Sequence, residues 1–224
     1  MNDKLLALGF SHFFEEQVLP KDLAQGKLAR IIEVQRSHLI DSDGGNPFRL
    51  SIAGSWFQRR TEERPTIGDW LVVDEQHQKI ERLLTRRTVL RRLAVGKKVD
   101  LQLIAANLDV LFVVTSCNDD FNEARIERYL SMALEASIKP VLIITKSDLV
   151  KDPESYYRRV QSIHTNVPVE VINALSPDSI ASLSKWAIAG TTIGLVGSSG
   201  VGKSTIVNLL CGGSVAQTSE IREQ

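Results

Sequence analysis

Apolar residues recur in two different patterns along the chain. Over residues 26–84, short apolar runs such as Trp70–Val73 and Ile80–Leu84 are separated by turn signals such as Asp43–Asn46. From about residue 103 onward, continuous apolar runs alternate with segments whose apolar residues recur every three or four positions. The first pattern is typical of short antiparallel strands, and the second of strands that alternate with helices. The sequence therefore predicts two folded parts of different class.

The N-terminal part is predicted to be a small all-β barrel preceded by a helical extension. An amphipathic stretch over Leu5–Val18 predicts one short helix within residues 1–25. Residues 26–90 hold four or five strand-like runs, including Leu28–Val34 and Phe48–Ile52, which fit a barrel of the oligonucleotide-binding type. An SH3-like barrel fits the same pattern. The aromatic residues here are either core residues or a surface for stacking bases: Trp56, Phe57 and Trp70.

The C-terminal part, residues 103–224, is predicted to be an α/β domain with a parallel sheet. Its strands are predicted at Val110–Thr115, Val141–Ile144, Val169–Ile172 and Thr191–Val196. Helices are predicted to begin near Asn122, Asp152 and Ser176, and the last to span about Lys203–Leu210. The helix after Asn122 is expected to turn its apolar positions inward: Ile126, Leu130, Ala133 and Leu134.

Composition excludes several classes of protein. Of the 224 residues, 43% are hydrophobic and 24% charged, so disorder, collagen and a coiled coil do not describe the whole chain. No apolar run approaches the roughly 18 residues of a membrane span, and the start lacks the apolar core of a signal peptide. Two cysteines, Cys117 and Cys211, are too few for a disulfide framework or a four-ligand zinc site. We expect a reduced cytoplasmic protein without a membrane partner; a monomer is also expected.

Charge is distributed unevenly, although the formal net charge is zero. Residues 1–98 carry 17 Lys and Arg against 13 Asp and Glu, whereas residues 99–224 carry 10 against 14. Within residues 79–98, eight basic residues stand beside Glu81 alone. This basic segment is either a solvated stretch, with a linker over residues 91–102, or a surface for a nucleic-acid phosphate backbone. The second interpretation singles out Arg86, Arg87, Arg91 and Arg92.

The most specific motif follows the last predicted strand. It is the phosphate-binding pattern G-x-x-x-x-G-K-[ST] with the residue after it: Gly197, Ser198, Ser199, Gly200, Val201, Gly202, Lys203, Ser204 and Thr205. Glycines let the backbone wrap phosphate oxygens, and amides at the start of the following helix point at the anion. Lys203 is expected to bridge the β- and γ-phosphates, and Ser204 to offer its hydroxyl to Mg²⁺. These two are the predicted catalytic residues.

Two further strand ends carry candidate base-binding residues. The first resembles the guanine-specificity motif N-K-x-D, with Thr in place of Asn: Thr145, Lys146, Ser147 and Asp148. The aspartate carboxylate would accept two hydrogen bonds from guanine, whereas adenine would leave it unpaired. The aliphatic part of Lys146 would cover the base. The second resembles the S-A-x loop whose amide meets guanine O6, with Asn in place of Ser: Asn173, Ala174 and Leu175.

The order of these motifs is unusual, because the base motifs precede the phosphate loop. An ordinary GTPase has the phosphate loop first, so the order indicates a circular permutation. Together with the β-rich N-terminal part, it resembles the RsgA (YjeQ) family of ribosome-biogenesis GTPases. Further matching segments are Arg64–Pro65, Gly68–Trp70, Ala105–Asp109 and Gly200–Ser204.

The resemblance implies a GTPase of late small-subunit maturation that binds GTP or GDP with Mg²⁺. It implies as partners the small ribosomal subunit and its rRNA, bound through the basic N-terminal domain. The family continues past the phosphate loop into a switch threonine, a D-x-x-G segment and a zinc-binding domain. This sequence has no D-x-x-G after the loop and no Cys/His cluster. We therefore expect a chain truncated after the P-loop helix, without its own zinc site and impaired in hydrolysis.

Two other functions fit parts of the sequence. A ribosome- or RNA-binding module with weak or vestigial nucleotide binding fits the basic segment and the missing switch segments. A P-loop ATPase or kinase fits the phosphate loop alone, and Asp148 discriminates between adenine and guanine. The histidines show no metal-ligand spacing and are expected to be bystanders: His12, His38, His77 and His164.

Overall fold

The computed structural model describes residues 2–94 and 100–213, which form two compact units. The N-terminal unit comprises the described residues up to Leu108 together with Ala189–Thr192. The C-terminal unit comprises Asp109–Ile188 and the described residues from Ile193 onward. The domain boundary predicted near residue 103 therefore differs from the division in the structure, which follows Leu108.

The N-terminal unit begins with three short helices, α1 (Asp3–Ala7), α2 (His12–Glu15) and α3 (Pro20–Gln25). The single helix predicted over Leu5–Val18 is wrong. Gly9 follows α1 with φ +88°, a left-handed conformation that interrupts helical geometry. A Cβ at Gly9 would lie 2.9 Å from the carbonyl oxygen of Gly190, so the turn also requires a residue without a side chain.

An antiparallel sheet of five strands follows, in the order β3-β2-β1-β4-β5. The strands are β1 (Gly26–Val34), β2 (His38–Ser42), β3 (Pro47–Ser51), β4 (Trp70–Asp74) and β5 (Ile80–Leu83). Helix α4 (Gly54–Phe57) and a 3₁₀ turn at Thr61–Glu63 connect β3 to β4. A closed barrel requires its two edge strands, here β3 and β5, to pair with each other. The strand pairs in the described part are β3–β2, β2–β1, β1–β4 and β4–β5, and a β3–β5 pair is not among them. The oligonucleotide-binding barrel stays a prediction.

Strand β4 is buried on both faces and separates two apolar cores. Leu71 and Val73 pack into the core formed with Ala29, Ile31, Leu39, Leu50, Trp56 and Ile80. Trp70 and Val72 pack into the other core, with Phe10, Phe14 and Leu84. The Trp70 ring meets Phe10 edge to face, with centroids 4.8 Å apart. Trp56 and Trp70 are therefore core residues, and Phe57 is the exposed member of the three aromatic candidates.

Two further strands, β6 (Val89–Ala94) and β7 (Asp100–Ala106), form an antiparallel ribbon. The linker predicted over residues 91–102 thus includes parts of both strands. Arg91 pairs with Leu103 and Arg92 with Gln102. Because successive side chains of a strand point to opposite faces, and both arginines are exposed, the ribbon presents one basic side chain on each face.

The C-terminal unit contains a parallel sheet in the order β10-β9-β8-β11. Its strands are β8 (Val110–Ser116), β9 (Lys139–Thr145), β10 (Val169–Val171) and β11 (Ile193–Val196). The helices are α5 (Glu123–Glu135), α6 (Pro153–Ile163), α7 (Ser179–Ser184) and α8 (Lys203–Cys211). Strands and helices alternate as predicted, and both faces of β8 are buried. The alternating parallel architecture brings the carboxyl ends of the four strands to one edge.

Most helices of this unit begin where the sequence predicts. Asn122 accepts a hydrogen bond from the backbone N–H of Arg125, and Asp152 accepts one from Ser155, so both cap their helices. Leu134 was expected to face inward but is 58% exposed, because it lies at the margin of the apolar stripe near the end of α5. Helix α7 begins at Ser179, later than Ser176. No helix in the described ranges is long and apolar enough to cross a membrane.

Candidate functional site

The phosphate loop lies between β11 and the N-terminus of α8, as its sequence context requires. Gly197, Gly200 and Gly202 have φ angles of +152°, +75° and +98°, conformations that L side chains rarely adopt. A Cβ at Gly197 would lie 2.2 Å from the backbone oxygen of Val114 in β8. The loop therefore packs against its neighbouring strand so closely that only glycine fits there.

The side chain of Lys203 folds back over this loop. Its Nζ donates to the carbonyl oxygen of Gly197 at 2.9 Å and to that of Ser198 at 2.5 Å. Burial lowers the pKa of Lys203, while the negative charge of Asp120 acts in the opposite direction. The ammonium group is thus positioned inside the curve of the loop, where phosphate oxygens of a nucleotide would compete with the two carbonyls.

Thr145 joins the phosphate loop to the first base motif. The residue is fully buried at the end of β9. Its Oγ1 lies 2.7 Å from the carbonyl oxygen of Val201 and 3.1 Å from that of Thr115. A hydroxyl has one proton, so its donor capacity is used within the protein. Thr145 therefore connects the two loops.

The residues after Thr145 form a tight turn at the same strand edge. Lys146 has φ +59°, and a 3₁₀ turn over Ser147–Leu149 follows it. The backbone N–H of Ser147 donates to the carbonyl oxygen of Ile172, the residue that directly follows β10. These bonds place Asp148 beside the residues that follow β10.

The loop after β10 is held by its own side chains. Asn173 Oδ1 accepts a hydrogen bond from the backbone N–H of Leu175 at 3.0 Å, and the hydroxyl of Ser179 donates to the Asn173 carbonyl at 2.7 Å. Asn173 therefore shapes the loop, as a serine hydroxyl also can. Ala174 is 8% exposed, whereas Leu175 is 79% exposed.

The three motifs line a single cavity of about 430 Å³. The residues lining it are Thr145, Lys146, Asp148, Leu149, Asn173, Ala174, Leu175, Gly200, Gly202 and Thr205. This volume lies within the range of small-ligand pockets. The other predicted positions belong to the same loops but are not among the lining residues: Ser147, Gly197, Ser198, Ser199, Val201, Lys203 and Ser204.

Three residues near this cavity were not singled out from the sequence. Leu149 lines the cavity itself. Asp120 and Arg125 lie beyond the end of β8, and the Arg125 guanidinium donates to the hydroxyl of Ser198 in the phosphate loop. Their position after a strand end at the shared edge is the signal that could have indicated them. Cys117, at the same strand end, is fully buried, and burial raises the pKa of its thiol, with the charge of Asp148 acting in the same direction.

The basic segment of the N-terminal unit does not form one continuous exposed surface. Arg86 Nε and Nη2 each lie 2.7 Å from a carboxylate oxygen of Asp69; Asp69 is fully buried, and the Arg86 side chain is 9% exposed. Arg82 pairs with Asp22, and Lys79 with Glu81. The expectation that Arg86 belongs to an RNA-binding surface is corrected, because its charge is neutralised inside the unit. Arg87, Arg91 and Arg92 are exposed.

Comparison with known proteins identifies the family. The family model "RsgA GTPase" matches residues 83–224. The chain is 44% identical over 220 residues to "Small ribosomal subunit biogenesis GTPase RsgA 2" of Vibrio vulnificus, covering 98% of this chain and 61% of that protein. It is 41% identical over 222 residues to "Small ribosomal subunit biogenesis GTPase RsgA" of Mesorhizobium japonicum, covering 98% and 62%. The chain thus spans about three-fifths of these relatives.

Solved structures agree on the fold. "YjeQ from Thermotoga maritima" matches with a TM-score of 0.62 and 20% identity, covering 82% of this chain and 64% of that one. "YloQ, a circularly permuted GTPase" matches with a TM-score of 0.57 and 22% identity, covering 80% and 62%. The motif order agrees with the second description. On the family model and the curated relatives together, the chain belongs to the RsgA GTPase family.

Proposed function

We propose that the chain binds guanine nucleotides and carries part of the catalytic centre of a GTPase that acts in small-subunit biogenesis. The observation that carries the proposal is the convergence of the phosphate loop and both base motifs on one cavity. Two relatives that cover most of the chain are named as GTPases of this process. Action as a monomer in the cytoplasm, and on rRNA of the maturing subunit, is part of the same proposal.

The residues of the phosphate loop have distinct roles in this proposal. The amides at the start of α8 and along the loop bind phosphate oxygens, and Lys203 supplies positive charge to the β- and γ-phosphates. Among the described residues, no group of three or more His, Cys, Asp or Glu side chains could hold a metal ion. The hydroxyl of Ser204, in the first turn of α8, fits Mg²⁺ as one oxygen ligand beside the nucleotide's own phosphates. Bound Mg²⁺ would neutralise charge that develops during phosphoryl transfer.

The base is selected by hydrogen bonding at Asp148. Its carboxylate lines the cavity beside Lys146, whose apolar stem can lie along the base. Guanine offers two N–H donors on one edge, and adenine lacks this pair. A carboxylate left without donors costs free energy, so adenine nucleotides are disfavoured. A P-loop ATPase is the alternative that this geometry opposes.

Calorimetric titration with GDP and with ADP tests the proposed nucleotide binding. GDP binding with little or no ADP binding is the expected result for the unmodified chain. Equal affinity for both nucleotides would favour an ATP-using protein, and binding of neither would contradict nucleotide binding by this chain.

Replacing Asp148 by asparagine is expected to weaken GDP binding by about 100-fold, because the two charge-assisted hydrogen bonds to guanine are lost. ADP binding should not change. Xanthosine diphosphate carries a carbonyl where guanine has its amino group, so the Asp148→Asn variant should bind it better than the unmodified chain does. Asp119→Asn, an exposed change in the same unit, is the control. Equal GDP affinities in the two variants would exclude Asp148 as the base-reading residue.

RNA binding is proposed for the exposed arginines of the N-terminal unit, Arg87, Arg91 and Arg92. Two of them, Arg91 and Arg92, are exposed residues of strand β6 in the β6–β7 ribbon. Arginine side chains contact phosphates without reading sequence, which suits a structured rRNA. This narrower surface replaces the whole basic segment as the candidate.

The triple change Arg87→Glu, Arg91→Glu and Arg92→Glu should weaken binding to small ribosomal subunits and flatten its dependence on salt. Losing three phosphate contacts lowers the slope of log affinity against log salt concentration by about 2 to 3. The control has the same change of net charge at other exposed positions of this unit: Arg36→Glu, Arg49→Glu and Arg60→Glu. If both triple variants lose the same affinity, the effect is one of net charge and the ribbon is not the site.

A further inference from the structure

Arg125 connects helix α5 to the phosphate loop, a role that none of the recognised motifs contains. It lies in the first turn of α5, where Asn122 caps its backbone N–H at 2.8 Å. Its Nη1 donates to Asp120 Oδ1 at 3.0 Å and to the hydroxyl of Ser198. The side chain is about one-third exposed, at the same edge of the sheet as the candidate site.

Ser198 is held from two directions in this arrangement. Arg125 binds its hydroxyl, and Lys203 Nζ binds its carbonyl oxygen. A nucleotide's phosphates would draw Lys203 away from the carbonyl, because an ammonium interacts more strongly with an anion than with a neutral acceptor. The bond from Arg125 would then be the side-chain contact that keeps Ser198 in place.

The charge of Arg125 has a second effect. The negative charge of Asp120 acts to raise the pKa of Lys203. Asp120 Oδ2 is buried without a hydrogen-bond partner among the described residues. The ion pair with Arg125 compensates this negative charge beside the phosphate loop. Without the guanidinium, Asp120 would oppose binding of a polyphosphate.

We propose that Arg125 is a positioning residue that holds Ser198 and neutralises Asp120, so that the phosphate loop keeps its shape when Lys203 moves onto the phosphates. The proposal rests on the proposed function for the identity of the ligand, a guanosine di- or triphosphate. Under this proposal, α5 affects binding of the nucleotide's phosphates and does not affect binding of its base.

The test compares Arg125→Gln with Arg128→Gln, an exposed change one turn along the same helix. Arg125→Gln should weaken GDP binding by about 10-fold and leave the affinity for guanosine, measured by NMR titration, unchanged. If the loss of GDP affinity acts through Ser198, introducing Arg125→Gln into a Ser198→Ala background should cause little further loss of affinity. Arg125→Lys should restore part of the affinity, since it keeps the charge but not the planar fork.

Three results would overturn the proposal. One is equal GDP affinity in the Arg125→Gln and Arg128→Gln variants. Another is an equal loss for guanosine and GDP, which would indicate a general structural role. The third is that, without nucleotide, the Arg125→Gln variant shows the same amide exchange over residues 197–202 as the unmodified chain. This last measurement needs no ligand, so it separates failure of the inference from failure of the unmodified chain to bind GDP.

Discussion

Replacing Arg86 by methionine is expected to lower the free energy of unfolding of the N-terminal unit by about 3 to 5 kcal/mol, the cost of breaking a buried ion pair on one side. Asp69 is fully buried and would lose both guanidinium bonds, while the backbone N–H of Thr66 would remain its one donor among the described residues. Arg86 also donates to the carbonyl oxygens of Glu62 and Arg64, which would lose their donor. Denaturant unfolding followed by tryptophan fluorescence in a Trp186→Phe background reports on this unit, because the other tryptophans, Trp56 and Trp70, lie in it.

The pH dependence of this loss has a definite sign. Burial already raises the pKa of Asp69, and removing the guanidinium raises it further. When the pKa of Asp69 is higher in the folded protein than in the unfolded chain, the folded protein takes up a proton at a pH at which the unfolded chain does not. The destabilisation should therefore shrink as the pH falls from about 7 to about 5, and the double variant Arg86→Met with Asp69→Asn should recover part of it. Lys79→Met removes an exposed ion pair and is the control, with little change expected. A loss equal to the control's would show that the buried pair contributes nothing.

Replacing Gly197 by alanine is expected to lower GDP affinity by at least about 100-fold. The new Cβ would lie 2.2 Å from the backbone oxygen of Val114, and a φ of +152° is strained for alanine in any surroundings. Strand β8 cannot shift without disturbing the centre of the sheet, so the phosphate loop must move instead. Its amides would then no longer point at the phosphate oxygens. Calorimetric titration with GDP measures the loss, and circular dichroism checks that the fold persists.

Gly213→Ala is the matched control for this change. A Cβ at Gly213 would meet no atom of the described residues within 4 Å, so the substitution should leave GDP affinity unchanged. If Gly197→Ala bound GDP as tightly as the control does, the close packing of the loop against β8 would not matter for phosphate binding.

The parts of the fold that could be predicted depend on local sequence. Strands β8 and β9 contain continuous apolar runs and are followed by the helix caps Asn122 and Asp152, and β11 is followed by the glycines of the phosphate loop. Because the carboxyl ends of parallel strands share an edge, predicting the strands also predicted that the motifs meet. The cavity-lining side chains of both base motifs follow directly from this rule.

The parts that could not be predicted depend on partners distant in sequence. Strand β2 was missed because Asp41 and Ser42 are polar, and Asp41 is buried only because its Oδ2 lies 2.7 Å from Nδ1 of His77. Arg86 was assigned to the surface because its partner, Asp69, is 17 residues earlier in the chain. Arg125 gave no motif signal, since its contact with Ser198 spans 73 positions.

The burial of strand β4 on both faces has a consequence for how the N-terminal unit unfolds. Four of its five residues contribute to two apolar cores, one formed with other strands of the sheet and the other with Phe14 of α2 and Phe10, which lies between α1 and α2. Neither core can open while the other keeps its walls intact, because each uses the same strand. The two cores are therefore expected to melt in one cooperative transition, which makes the short N-terminal helices part of the folding unit rather than an appendage.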